Sequence, residues 1–383
     1  MAVKFITIDR DTPLLLPPDL RDWVKPDHLV HFIIDAVGQI DVSAAQVNER
    51  GTGSPQYPPG VLLSLLVYSY ATGVFSSRQI ERNTYENIAV RLLCADTHPD
   101  HDTLCTFRRK NLGLLNTAFA QVLELAARSG VLKVGGITVA IDGTKILANA
   151  SKHSAVSYEH AGKRPWGKEP TSPTPTPGPK DQYNFTDPVS RIMKAGSGAH
   201  FEQSYNAQAG VETASRLILG PRVCNAANDK EQLVPNLAAI GSHIDKLDHV
   251  LVDNGFVSEE AVTAAEHDST GKTNGLIVLA AIKRHPHGRT IAQLECREDP
   301  PAPPPEASFT KRMIHRTATA AGKALYKLRQ QTVEPVFGII KQTLGFRRFS
   351  LRGLEKAGLE WTLVCLAYNL KRLFNMKAPL RAA

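Results

Sequence analysis

Three acidic residues, Asp142, Asp253 and Glu334, have the types and settings to do chemistry together. Residues 136–144 (GITVAIDGT) pass through β-branched and apolar side chains to Asp142 and then a glycine, and residues 248–255 (DHVLVDNG) repeat the pattern around Asp253. Each reads as a short buried strand that delivers a carboxylate at its C-terminal end. Taken singly, an Asp-Gly pair also reads as an ordinary turn, and a lone Glu as an ordinary surface residue. Taken together, two carboxylates at neighbouring strand ends and a third on a helix packed against the sheet can hold two hard divalent cations. Mg2+, with Mn2+ as a substitute, suits such a site, because it takes few carboxylates and fills its remaining positions with water and phosphate oxygens. Two ions about 4 Å apart activate the attacking oxygen and stabilise the leaving oxygen when a phosphodiester is displaced in line. Asp142, Asp253 and Glu334 are therefore the candidate metal ligands and the candidate catalytic residues.

Glu334 must be carried by a helix. In residues 326–344, Phe337, Ile340 and Leu344 recur at three- and four-residue steps and form an apolar stripe. Glu334 and Lys341 are seven residues apart, close to two turns, so they share another face. Pro335 fits the first turn of this helix, with Thr332 as its N-cap. Tyr326 and Arg329 stand just upstream, and Arg347 and Arg348 just beyond. The surroundings are basic: residues 311–383 hold 15 Lys or Arg against 3 acids, a net +12 in a chain of net +8, which leaves about −4 on residues 1–310. Positive charge concentrated at one end points to a polyanionic partner, and nearby cations hold phosphates and offset charge developing in a reaction. An anionic membrane surface is the weaker reading of that charge, because no apolar run reaches the ~18–20 residues needed to span.

The rest of the chain must position these groups. Residues 1–130 read as a mostly helical domain, with prolines at 14–18 and Pro26 punctuating its entry. Helical spacing runs through residues 28–40, and Pro59-Gly60 opens a strongly apolar helix that Gly73 ends. Ser76 or Ser77 caps a helix carrying Arg78 and Arg82, and Asp102 caps one carrying Phe107, Arg108, Arg109 and Lys110. Short helices with basic residues on the last fit either a helix-turn-helix DNA reader or a plain bundle with a solvated basic face. Residues 131–383 read as an α/β domain. Its strands include 201–210 and 216–223 as a hairpin, and 275–282 as a further buried strand. Asp229 reads as a helix N-cap with Gln232 as its capping-box partner, rather than as a metal ligand. His285 and His287 read as solvated loop residues around Pro286. Proline-rich loops are expected near 164–181 and 298–306, and an amphipathic helix, a candidate dimer contact, over 359–374. Five scattered cysteines without a Cys-x-x-Cys pair, and a start (MAVKFITIDRDTP) lacking a basic-then-apolar leader, fit a reducing cytoplasm.

At this point the sequence resembles a family, the bacterial insertion-sequence transposases of the DDE type, in the branch with a Tyr-Arg-Glu-Lys signature. The resemblance runs through IDGTKILANASKHS, DPVSRIMK, SYNAQAG, ANDKEQLVP and LVDNGF to YKLRQQTVEPVFGIIK, and includes the helical N-terminal region. It implies a ribonuclease H-like catalytic domain, a mixed sheet with flanking helices, preceded by an all-helical N-terminal domain that recognises DNA ends. It implies Asp142, Asp253 and Glu334 as the metal-binding triad, and Tyr326, Arg329 and Lys341 as residues near the scissile phosphate. Arg347 and Arg348 join them as candidate DNA-binding residues. Four residues, not the family's usual three, separate Arg329 from Glu334, and Arg329 is retained as a backbone-phosphate ligand.

Three functions remain on this reading. The first is a Mg2+-dependent transposase. It would cut double-stranded DNA at the element's terminal inverted repeats and join the 3′-hydroxyl to target DNA, working as a homodimer on paired ends in the bacterial cytoplasm, on the nucleoid when DNA-bound. The second is a metal-dependent nuclease without strand transfer. The third is a DNA-binding derivative that no longer cuts, which would bind ends in a salt-sensitive way.

Overall fold

The computed structural model describes residues 19–47, 56–133, 135–157, 159–160, 182–194, 200–241, 244, 246–268, 270–282, 298–304 and 306–380. The excursion at 164–181, the prolines at 14–18, and His285 and His287 lie outside the described residues.

The first third is helical, as its periodicity predicts: α1 (Leu29–Gly38), α2 (Pro59–Ala71), α3 (Ser77–Glu86), α4 (Ile88–Leu93), α5 (His101–Lys110) and α6 (Leu112–Arg128). Pro59 opens α2 where its missing N–H is not needed, and every residue from Leu62 to Ala71 is buried. A helix apolar on all sides must be enclosed. The cap of α5 is Asp100 rather than Asp102. The Asp100 carboxylate accepts from Thr103 N at 2.7 Å, and Asp102 falls inside the first turn. The basic residues of α5 part company, since Arg108 is buried while Arg109 and Lys110 are exposed.

A mixed sheet follows. Its strands are β1 (Ile137–Leu147), β4 (Arg191–Lys194), β5 (Phe201–Glu212), β6 (Ile218–Cys224), β7 (Leu247–Val252) and β8 (Ile277–Ala280), and β2 (Ala155–Ser157) pairs separately with β3 (Gln182–Asn184). β5 lies antiparallel to β1, and β4 and β6 pair in turn along its other edge. β7 runs parallel to β1, and β8 parallel to β7. β1 continues well past Asp142, so this carboxylate does not end its own strand, and Asp142-Gly143 is not a turn. What ends there is β7. In the parallel register Ala140 stands opposite Leu251, and two further residues bring Asp142 level with Asp253, just beyond the last residue of β7. Asp142 thus sits at the edge of the sheet's parallel half, while the antiparallel pairing with β5 carries β1 onward.

Helices cover the sheet: α7 (Leu233–Ala239), α8 (Glu259–Glu266), α9 (Phe309–Ala318), α10 (Ala320–Gly338) and α11 (Leu354–Asn375). The residues 298–304 form neither helix nor strand, in keeping with their prolines. The start of α10 differs from expectation. Its N-cap is Thr319, whose Oγ1 accepts from Gly322 N at 3.0 Å, and Pro335 lies in its interior. Thr332, expected as the cap, instead donates its hydroxyl to Leu328 O at 2.7 Å. An interior proline costs a helix about 3 kcal/mol or more. The helix persists because Val333, Val336 and Phe337 are buried against the rest of the molecule. A π-helical turn, Ile339–Thr343, follows directly.

The expectation for residues 359–374 is also corrected. α11 packs on β6, α2 and α6 at once, and Leu359 through Leu370 are all buried. It is a central helix of the chain's own core and presents no open face to a second copy. The helical half and the sheet share that core.

Candidate active site

Asp142 is the most enclosed of the three acids. Its side chain is 21% exposed, its Oδ1 accepts from Gly143 N at 2.8 Å, and its Oδ2 accepts from Arg329 Nη2 at 2.9 Å. Burial pushes its pKa up to about 6. The Arg329 charge and the Gly143 N–H oppose that rise, while the negative charges of Asp253 and Asp229 add to it. Desolvation thus outweighs the arginine beside it.

The other two acids are reached from β7 and α10. Asp253 is exposed at the end of β7, where the chain enters a short 3-10 turn, Asn254–Phe256. Glu334 projects from α10 with 57% of its side chain exposed, and its Oε1 is 3.9 Å from Arg329 Nη1. Arg329, about 1.4 turns earlier, reaches both Asp142 and Glu334, although its own side chain is only 9% exposed. Its Nε is buried without a hydrogen-bond partner.

Of the remaining sequence-predicted residues, Tyr326 meets the end of β7, and Lys341, Arg347 and Arg348 gather beside β1 beyond Asp142. Tyr326 donates from its hydroxyl to Val252 O at 3.2 Å, which ties α10 to the residue preceding Asp253. Lys341, on the π-helical turn, donates from Nζ to Lys145 O at 2.9 Å, so it meets β1 three residues beyond Asp142. Burial, then the charges of Arg347 and Lys145, lower the Lys341 pKa. Arg347 Nε donates to Lys341 O at 3.1 Å, and Arg347 and Arg348 are both exposed. Their backbone is fixed by β1, since Leu147 N donates to Arg347 O at 3.0 Å and Phe349 N to Leu147 O at 2.8 Å.

Four residues beside this site escaped the sequence reading. On β5, Asn206 and Gln208 donate their side-chain amides to one oxygen of Asp229, at 2.7 and 2.6 Å. Gln208 Oε1 in turn accepts from Asn236 Nδ2 at 3.0 Å. Asp229 is thus not the cap of α7, whose N-cap is Gln232 without a side-chain bond. Two buried amides hold its carboxylate toward the sheet, which outweighs a cap open to water. The amides lie over Gly143. A Cβ at that position would overlap Gln208 Nε2 and come within 2.7 Å of Asn206 Oδ1, so the glycine after Asp142 admits the brace. The signal was present in SYNAQAG: Asn206 and Gln208 alternate with small residues and so share one face of the strand. Lys145, also missed, is desolvated, which lowers its pKa against the pull of Asp229, Cys224 and Asp142.

The donors fit a hard divalent ion, being carboxylates with no His or Cys among them. They do not stand as a finished cage: among the described residues no group of three or more His, Cys, Asp or Glu is placed to hold an ion. Arg329 lies between two of the three acids instead.

Two family matches bear on this arrangement. Residues 304–374 match a family described as "Transposase DDE domain", and residues 18–110 match "Transposase domain (DUF772)". The first contains Tyr326, Arg329, Glu334 and Lys341; Asp142 and Asp253 lie outside both. No curated protein matches the chain. Transposase families thus match toward both ends of the sequence, and the two matches indicate a DDE-type insertion-sequence transposase.

Proposed function

We propose that the chain is a divalent-metal-dependent DNA transposase of the Tyr-Arg-Glu-Lys branch. It cuts phosphodiesters at the ends of its element and transfers the resulting 3′-hydroxyl into target DNA. The catalytic domain is ribonuclease H-like and spans residues 131–383, and residues 1–130 recognise the DNA end. The observation that carries the reading is the meeting of Asp142 and Asp253, level on adjacent parallel strands, with α10, whose Arg329 links Asp142 to Glu334.

Asp142, Asp253 and Glu334 are the residues that hold Mg2+, or Mn2+ in its place. When bound, the metal supplies an activated attacking oxygen and a stabilised leaving oxygen. The protein's own residues position the duplex. Lys341, Arg347 and Arg348, grouped where the π-helical turn meets β1, supply positive charge for the backbone phosphates. Tyr326 fixes α10 against the end of β7 and so sets the spacing between Asp253 and Glu334. Two copies act on paired ends, through a surface other than α11. No helix among the described residues is long and apolar enough to cross a membrane, and the reading places the protein in the cytoplasm, on the nucleoid when DNA-bound.

The test is end cleavage by Asp142→Asn. The variant is expected to retain binding to a duplex carrying the element's ends and to lose Mg2+-dependent cutting by at least a hundredfold, about 2.7 kcal/mol of barrier. Full cutting by the variant would remove Asp142 from the site.

A further inference from the structure

Arg329 occupies an unusual position. Its guanidinium is 2.9 Å from Asp142 Oδ2 and 3.9 Å from Glu334 Oε1, so one cation spans two carboxylates contributed by different elements. The two contacts use different nitrogens, Nη2 toward Asp142 and Nη1 toward Glu334. The rest of the group is spent poorly. Nε is buried and unbonded, and only 9% of the side chain reaches solvent. Leaving a buried donor unmade is unfavourable, so the position is held by the two acids rather than by a good fit of its own. A guanidinium held inward beside Asp142 is also not presented to a DNA phosphate.

From this geometry we infer that Arg329 is the resident counter-cation of the acidic site. A divalent ion must displace it from Asp142 and Glu334, and the freed guanidinium then turns outward to a DNA phosphate. The inference rests on the metal-site reading above and adds an exchange to it. Arg329 and a metal carry like charge and share the same two carboxylates, so binding of one opposes binding of the other. The reverse also holds. A phosphate that engages the guanidinium withdraws it from Asp142 and favours the metal, so DNA and metal bind cooperatively. Without DNA the arginine keeps the acids compensated and the site weakly loaded, which restrains cutting away from a bound end. Arg329 does the work of a charge, and its planar group can serve a carboxylate or a phosphate with similar geometry.

The test is Mn2+ binding to the full-length, DNA-free protein, followed by the electron paramagnetic resonance signal of free Mn2+. It is run at mildly alkaline pH, so that Mn2+ and not the proton competes for Asp142. Arg329→Met is expected to bind Mn2+ on the order of tenfold more tightly than the unaltered chain, the size of effect given by removing a close, desolvated like charge. Arg329→Lys, which retains the positive charge, is expected to stay near the unaltered value. Equal or weaker Mn2+ binding by a folded Arg329→Met protein would overturn the exchange. Asp142→Asn is measured alongside: if it leaves Mn2+ binding intact, the metal-site reading fails, whereas its loss of binding with no gain in Arg329→Met removes the exchange alone. A readout without any substitution covers the case in which the variants do not fold. The arginine side-chain N–H resonances of the unaltered chain are followed while Mg2+ is added. Displacement predicts that one restrained guanidinium regains free rotation as Mg2+ saturates. A guanidinium still restrained at saturation would overturn the proposal.

Discussion

At the level of single residues, Asp142 controls the account. Its pKa of about 6 lies above the usual carboxylate value, so the folded protein holds the Asp142 proton more tightly than the unfolded chain does. The sign follows: its contribution to stability is fully present below the unfolded value of 3.8 and is lost as pH rises through about 6. Function runs the other way, because only the carboxylate binds a cation. Cleavage measured against pH at fixed Mg2+ is therefore expected to fall as pH drops through about 6, with excess Mg2+ moving that limb to lower pH. A limb that ignores the metal concentration would detach Asp142 from the metal. The strands that lead to Asp142 and Asp253 were legible because an apolar run is a local pattern, although β1 runs on past Asp142. Asp229 was misread because capping, also local, accounts for the same residue. Its actual partners, Asn206 and Gln208, are more than twenty positions away and adjoin it only through the pairing of the sheet.

Among the elements, two glycines set where strands and helices meet. Gly143 lets the amides of β5 lie across β1 beside Asp142. Gly143→Ala is expected to destabilise the protein by roughly 1–3 kcal/mol in denaturant unfolding and to lower metal affinity as the strand shifts. Gly73 follows α2 with φ +83, and a Cβ there would lie 2.7 Å from Leu344 O. It joins the helical half to the end of the segment that carries Lys341. Gly73→Ala should cost roughly 2 kcal/mol or more, from the left-handed backbone and the close carbonyl together. Its more telling effect would be weakened DNA binding from a site in another part of the chain. The apolar stripe of Phe337, Ile340 and Leu344 was readable from periodicity, and all three are buried. The start of α10 was not. Pro335 looks like an N-terminal signal, and only packing against the sheet explains a helix that carries it inside.

For the molecule as a whole, a buried polar linkage ties the helical region to α11 and to the segment after Arg348, beside the core they share. Arg108 on α5 donates to Tyr70 Oη at 2.6 Å, Tyr70 donates to Glu360 Oε1 on α11 at 3.1 Å, and Glu360 Oε2 accepts from Ser350 N and Leu351 N at 2.8 and 3.0 Å. Arg108 and Glu360 are 3.8 Å apart and almost wholly buried. The linkage binds the segment after Arg347 and Arg348 to the first half of the chain, which accounts for an inward-facing arginine on a helix whose other basic residues face water. Removing one partner leaves a buried charge uncompensated. Glu360→Gln should cost about 3–5 kcal/mol, read from urea unfolding, and the chain should unfold in a single transition because α11 belongs to both halves. Two separate transitions would contradict a shared core. None of this was legible from sequence, since Tyr70 and Glu360 are 290 residues apart. A net positive C-terminal segment was legible, and the structure spreads its charges: Arg329 turns to the acids, Lys341 to β1, and Arg347 and Arg348 to the surface.

The most direct measurement of the central claim is cleavage of a labelled duplex carrying the element's own ends, in Mg2+ and in EDTA, by the unaltered protein and by Glu334→Gln. Glu334 is the sharpest choice because 57% of its side chain is exposed, so an amide there leaves the core packing alone. The account predicts nicking at the end boundary that requires Mg2+ and falls at least a hundredfold in the variant, while both proteins still bind the duplex. Binding without cutting by the folded, unaltered protein, or equal cutting by Glu334→Gln, would contradict it.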